Sequence, residues 1–188
     1  MTTYTFVPKT STKFVFWNDP TIWVPSIVPN GPDADVLIPT VTVPASGSLY
    51  KSTITLSDQD YTLHSVDLHD NSLNIFSNLN VVGALNIVGD ADISINHNLT
   101  VGVLTNGGRI NDGGNYFITA DTIVNSGDIS GAQDTITTQH WSNTGTLTAT
   151  SGNVTLNVGE GGGPTLTGGT YQATGSGTLR LNFSLRSQ

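Results

Sequence analysis

Residues Ile123–Leu147, IVNSGDISGAQDTITTQHWSNTGTL, carry one phrase twice: an Asn, any residue, a Gly, any residue, then an aliphatic. A third copy precedes them. The three read Asn106-Gly107-Gly108-Arg109-Ile110, Asn125-Ser126-Gly127-Asp128-Ile129 and Asn143-Thr144-Gly145-Thr146-Leu147, at steps of 19 and 18 residues. That period is too short for a helix pair or a propeller blade and matches one coil of a solenoid. A coil of short strands and turns buries nothing alone. Stacked at about 4.8 Å with parallel pairing, successive coils put Ile110, Ile129 and Leu147 into one interior column. The Asn and Gly then fall at a corner, where a positive φ is tolerated and matching amides can hydrogen-bond up the stack. The phrase reads as scaffold, without chemistry of its own.

Working outward, short runs such as STITL, YTLHSVDL, SLNIF, LNVVGALNIV, LTVGVL, YFITADTIV, NVTLNV and TLRLNF alternate apolar and polar residues, separated by Asn, Gly, Asp and Ser. This is the pattern of half-buried strands joined by tight turns. Helix formers are scarce, with one Glu and one Met, so the chain reads as all-β. Of the 8 prolines, Pro8, Pro20, Pro25, Pro29, Pro32, Pro39 and Pro44 precede position 45. Proline cannot donate to a sheet ladder, so the beginning of the chain is expected to be irregular and edge-like. Residues 1–39, which also hold Trp17 and Trp23, are therefore assigned as a cap over the exposed end of the coils formed by residues 40–188. At the other end Leu179, Leu181, Phe183 and Leu185 alternate nearly to the terminus, from which we expect a longer natural polypeptide or a partner at that end.

The balance of 6 Lys+Arg against 14 Asp+Glu, a net charge of -8, argues against nucleic acid and anionic membrane, both of which need clustered cations. Lys9, Lys13, Lys51, Arg109, Arg180 and Arg186 form no cluster in sequence. With no cysteine, neither disulfides nor thiolate metal sites are available. No apolar run approaches the roughly 20 residues of a membrane span, and MTTYTFVPKT lacks the charged and apolar regions of a signal peptide. We expect that an export signal was removed, lies elsewhere, or does not exist.

Trp17 and Trp23, followed by Pro29, Asp33, Asp35, Val36 and Ile38 and then by short strands and Asn-x-Gly-x-aliphatic coils, resemble the exported β-strand-repeat proteins of bacteria. These include autotransporter passengers and filamentous-haemagglutinin-like adhesins. The resemblance implies a right-handed parallel β-helix, an extracellular or cell-surface location, and an adhesive or stalk role with glycans or a neighbouring cell surface as partner.

Parallel β-helices also carry polysaccharide lyases and hydrolases, and glycoside hydrolysis needs two carboxyl groups about 5–10 Å apart. Asp70, Asp92, Asp112 and Asp134 recur at steps of 22, 20 and 22, but out of register with the Asn-x-Gly phrase, and read as solvated turn residues. Asp33/Asp35, Asp58/Asp60 and Asp90/Asp92 offer at most a weak calcium site, as does the NDGGN turn, Asn111–Asn115; no other cofactor is implied. His64, His69, His97 and His140 fit no zinc motif, and no Gly-x-Ser-x-Gly elbow occurs. Trp17, Trp23 and Trp141 are candidate platforms for sugar rings, the first two read mainly as buried. The runs Thr40/Thr42, Thr53/Thr55, Thr135/Thr137, Thr146/Thr148 and Thr165/Thr167 raise ice binding, but they lack a common coil register and reflect strand propensity. The sequence thus points to a non-catalytic adhesive or structural module. The alternatives are a polysaccharide-active enzyme and a solenoid that polymerises end to end.

Overall fold

The computed structural model describes residues 1–8, 13–41, 51–112, 116–159, 166 and 168–184, with Asp112 as backbone alone. Lys9, Thr42, Pro44, the Asp112 side chain, residues 113–115 of the NDGGN turn, Pro164, Thr165, Thr167, Leu185 and Arg186 lie outside the described residues.

The chain is a parallel β-solenoid with two ladders. One is an eight-stranded sheet built from Phe14–Phe16, Thr53–Leu56, Ser72–Ile75, Asp92–Ile95, Arg109–Asp112, Asp128–Gly131, Thr146–Ala149 and Thr170–Ala173. Opposed residues Thr53, Ser72, Asp92, Arg109, Asp128 and Thr146 follow at 19, 20, 17, 19 and 18 residues, so the period of the Asn-x-Gly phrase extends well below its first copy. Ile110, Ile129 and Leu147 stand in direct register, continuing a column formed by Val15, Ile54, Leu73 and Ile93. All seven are buried, each contributing about 1.5–3 kcal/mol that an isolated coil could not obtain.

The second ladder has eleven strands, among them the long Leu79–Val88, Leu99–Asn106, Phe117–Asn125 and Thr135–Asn143. In Leu99–Asn106 the buried positions are Leu99 and Val101, then Leu104 and Asn106. The alternation slips by one residue at Gly102. In Leu79–Val88 the slip falls at Val82-Gly83, where a register shift puts two residues opposite the single Gly102. Each long strand thus bends into two faces. Below it the same two faces are separate strands, Tyr61–Leu63 and Ser65–His69, which pair with its first and second halves.

The first 39 residues are less irregular than their prolines suggest. Thr2–Phe6 pairs in parallel with Ala34–Ile38, which pairs with Ser65–His69, while Phe14–Phe16 starts the eight-stranded sheet. The two-residue Trp23–Val24 runs antiparallel to Thr2–Phe6. Pro8, Pro25, Pro29, Pro32 and Pro39 fall between strands and Pro20 opens a 3-10 turn, so no ladder donor is lost. Trp17 and Trp23 are fully buried, their rings 4.6 Å apart, with Tyr61 5.8 Å from Trp17. Their indole N–H groups donate to Pro29 O at 3.0 Å and Trp17 O at 2.8 Å, which makes burial of two Trp affordable.

At the repeated corner, Asn106, Asn125 and Asn143 point inward and are buried. They extend a column that begins as Ile38, Leu68 and Ile87. Asn106 Nδ2 donates to Asn125 Oδ1 at 2.7 Å, and Asn125 Nδ2 donates to Asn143 Oδ1 at 2.8 Å. The glycines serve a different purpose from the one expected. Positive φ is found at Gly31, Gly89, Gly152, Gly168, Gly169 and Gly175, and not at Gly108, Gly127 or Gly145. Close approach requires them instead: a Cβ on Gly127 would lie 2.0 Å from Gly108 O, and one on Gly145 2.0 Å from Gly127 O.

Gly127→Ala is expected to destabilise the fold by about 2 kcal/mol or more, since backbone must move to admit the methyl. Gly107→Ala, at an exposed position whose added Cβ would lie 3.2 Å from Ile87 O, should cost less than about 1 kcal/mol. Asn125→Ala removes a buried amide bonded on both sides and should cost about 2–4 kcal/mol. Urea unfolding of the three variants checks the order.

Candidate functional site

Stacking leaves outward columns on each face, and their composition differs. On the eight-stranded sheet one column runs Thr55, Asn74, Ser94, Asn111, Ser130, Thr148 and Gln172. Ser130 Oγ donates to Asn111 Oδ1 at 2.9 Å and Gln172 Nε2 to Thr148 Oγ1 at 3.0 Å, so these polar groups bond along the axis. The neighbouring column carries charge, with Asp92, Arg109 and Asp128 in register. Thr53/Thr55 and Thr146/Thr148 share these two columns, whereas Thr135/Thr137 lies on the other sheet, so these pairs have no common register. The charged rungs between them still break any flat threonine array.

On the first face of the long strands, the outward column reads Thr62, Asn80, Thr100, Thr119, Thr137, Asn157 and Asn182. Where these strands bend, a groove of about 300 Å³ opens, lined by Asn80, Val82, Thr100, Gly102, Thr119 and Asp121 and floored by inward-facing neighbours. Gly102 supplies no side chain at the bend, and a Cβ there would lie 2.6 Å from Gly83 O, so backbone packing keeps the position open. Val82 is 53% exposed within the groove, and Phe117, two residues before Thr119 on the same outward face, is 54% exposed. Phe117 carries no marker in sequence beyond its alternation with Ile118. Its exposure depends on which way the strand faces.

The sequence candidates are placed differently. Trp17 and Trp23 have no face open to a sugar. Trp141 is partly buried opposite Ile123, and its Nε1 donates to Tyr171 Oη at 2.8 Å. The proposed aspartate series does not stack: Asp92 stands between Ser72 and Arg109, Asp112 opposes Ile95, Asp134 is buried, and Asp70 sits in a turn at φ 52°. No group of three His, Asp or Glu is placed to hold a metal ion among the described residues. His97 stacks on Tyr116 at 5.8 Å.

One cluster has the composition of a catalytic triad. His64 Nδ1 lies 2.7 Å from Asp35 Oδ1, and Ser65 Oγ donates to the same oxygen at 2.5 Å. The order is wrong for nucleophilic catalysis, because the hydroxyl is bonded to the carboxylate and not to the imidazole that would take its proton. Those bonds hold the Asp35 carboxyl below its ordinary value, the Ser65 bond contributing most. Three other carboxylates, Asp58, Asp60 and Asp70, behave alike. Asp70 is lowered by Thr40 Oγ1 at 2.5 Å and by the Asp90 N–H at 2.8 Å; Asp60 by the Asn78 side chain and backbone. At Asp58 partial burial opposes ionisation, but donation from Tyr61 Oη at 2.6 Å and Asn18 prevails. Asp67 accepts from Asn86 at 2.6 Å, and Asp92 from Ser72 while pairing with Lys51.

Set beside known protein families, curated proteins and solved structures, the chain matches none.

A folded-state pKa below the ordinary 3.8 means that these aspartates stabilise the fold above that value, and that the contribution is lost as pH falls through the folded pKa. Urea midpoints should therefore be flat from about pH 5 to 7 and fall below about pH 4. Neutralising a net charge of -8 acts in the opposite sense by relieving repulsion. A midpoint rising on acidification would mean that repulsion, not these bonds, dominates.

Proposed function

We propose that this chain is a non-catalytic rod, the structural and adhesive module of a bacterial protein that is secreted or displayed at the cell surface, with glycans as its partners. The use made of the acidic side chains supports this reading most directly. Asp35, Asp60 and Asp70 are lowered by hydrogen bonds from other segments of the coil stack, and Asp58 chiefly by the nearby Tyr61 hydroxyl. A glycoside hydrolase needs the reverse: one carboxyl raised enough to donate a proton, with a second at a fixed distance. Here the carboxylates pin turns and strand ends.

The outward faces suit a binder. The column Thr62, Asn80, Thr100, Thr119, Thr137, Asn157 and Asn182 is uncharged, and its side chains are set at regular spacing by backbone pairing, so a repeating ligand meets repeating donors and acceptors. No helix among the described residues is long and apolar enough to cross a membrane.

Incubation with immobilised neutral and acidic polysaccharides separates the readings. We expect retention of the protein with no new reducing or unsaturated chain ends. Release of such ends in proportion to protein added would establish an enzyme and overturn the proposal.

A further inference from the structure

We propose that the groove at the bend of the long strands binds a neutral, unbranched polysaccharide lying parallel to the solenoid axis. The inference rests on the adhesive reading above and adds the place, the orientation and the class of ligand. Asn80, Thr100 and Thr119 line the groove from three successive strands in direct register. Two strand spacings span roughly 10 Å, close to one disaccharide unit of an extended β-1,4-linked chain, so hydroxyls repeating along such a chain meet hydroxyl and amide groups repeating along the rod.

The groove also has the apolar surface that sugar rings require. Val82, 53% exposed, is part of the lining, and the 54%-exposed Phe117 stands just outside it, two residues before Thr119 on the same outward face, where its ring can cover the C–H face of a pyranose seated at the groove's edge. Charge selects against acidic sugars. Among the lining residues Asp121 is the one charged group, and no Lys or Arg is there to neutralise a uronate. The outward column continues past the groove at Thr62 on one side and Thr137 on the other, so a longer chain meets further hydroxyls, and the paired strands require no ordering on binding.

Titration of the whole chain with cellohexaose, followed by amide NMR, is expected to shift Asn80, Thr100, Thr119 and their strand neighbours. Phe117→Ala should weaken binding by about 5-fold or more, the scale of one lost stacking contact. Thr100→Arg, an exposed position whose larger side chain fills the groove, should abolish it. Phe14→Ala, which alters an exposed phenylalanine on the other sheet, should leave affinity unchanged, and unfolding midpoints verify that all three fold. Shifts mapping elsewhere, no response to cellohexaose, equal affinity for polygalacturonate, or wild-type affinity in Thr100→Arg would each overturn the groove. Retention on immobilised polysaccharide could persist in those cases, so adhesion would stand without this site. Cleavage of the hexasaccharide would instead overturn the adhesive reading itself.

Discussion

The structure depends on how closely one coil's backbone approaches the next at the corner. Gly127 sits so tightly over Gly108, and Gly145 over Gly127, that a single added carbon would overlap a carbonyl oxygen. Beside them Asn106, Asn125 and Asn143 turn inward and bond amide to amide. Each amide also serves its own turn: Asn106 Oδ1 accepts from Gly108 N and Asn143 Oδ1 from Gly145 N. Small residues and amides are therefore two parts of one requirement. The glycine permits the approach, and the asparagine satisfies polar groups that the approach removes from water.

The same inward column is aliphatic lower in the stack, at Ile38, Leu68 and Ile87. Asp70, at positive φ, and Gly89 mark those corners instead, with Asp70 accepting from Asp90 N. Two local solutions thus serve the same rotation of the chain. One buries an aliphatic and uses a carboxylate to hold the turn; the other buries an amide and lets it hold the turn directly. Asp70 is committed to this stitching, its carboxyl held below the ordinary value by Thr40 Oγ1 and the Asp90 N–H, and Asp35, Asp58 and Asp60 are lowered by hydrogen bonds elsewhere in the same coils.

With the interior dedicated to packing, the proposed recognition would fall to the outward columns. Backbone pairing sets their spacing, so neighbouring rungs repeat at a length that no loop-built site would hold as strictly. A bend adds relief to an otherwise flat face. Where Gly102 follows the Val82-Gly83 shift, the outward side chains part and the groove opens between Asn80, Thr100 and Thr119.

The sequence by itself determined the coil period, the inward column of Ile110, Ile129 and Leu147 and the asparagine ladder, because each follows from residues repeating at fixed spacing. It also carried the all-β composition and the poor fit of the aspartates to an acidic ladder. Only the tertiary structure decided why the corner glycines are glycine, since the clash they avoid comes from a neighbouring coil and not from their own φ. It likewise decided that LTVGVLTN is two faces: a one-residue slip in alternation is weak in sequence and becomes a corner only when the next coil fixes which side is inside. Phe117 follows from the same cause. Alternation shows that Phe117 and Ile118 oppose each other, and packing against Leu99 and Ile136 puts Ile118 inside and leaves the ring in solvent.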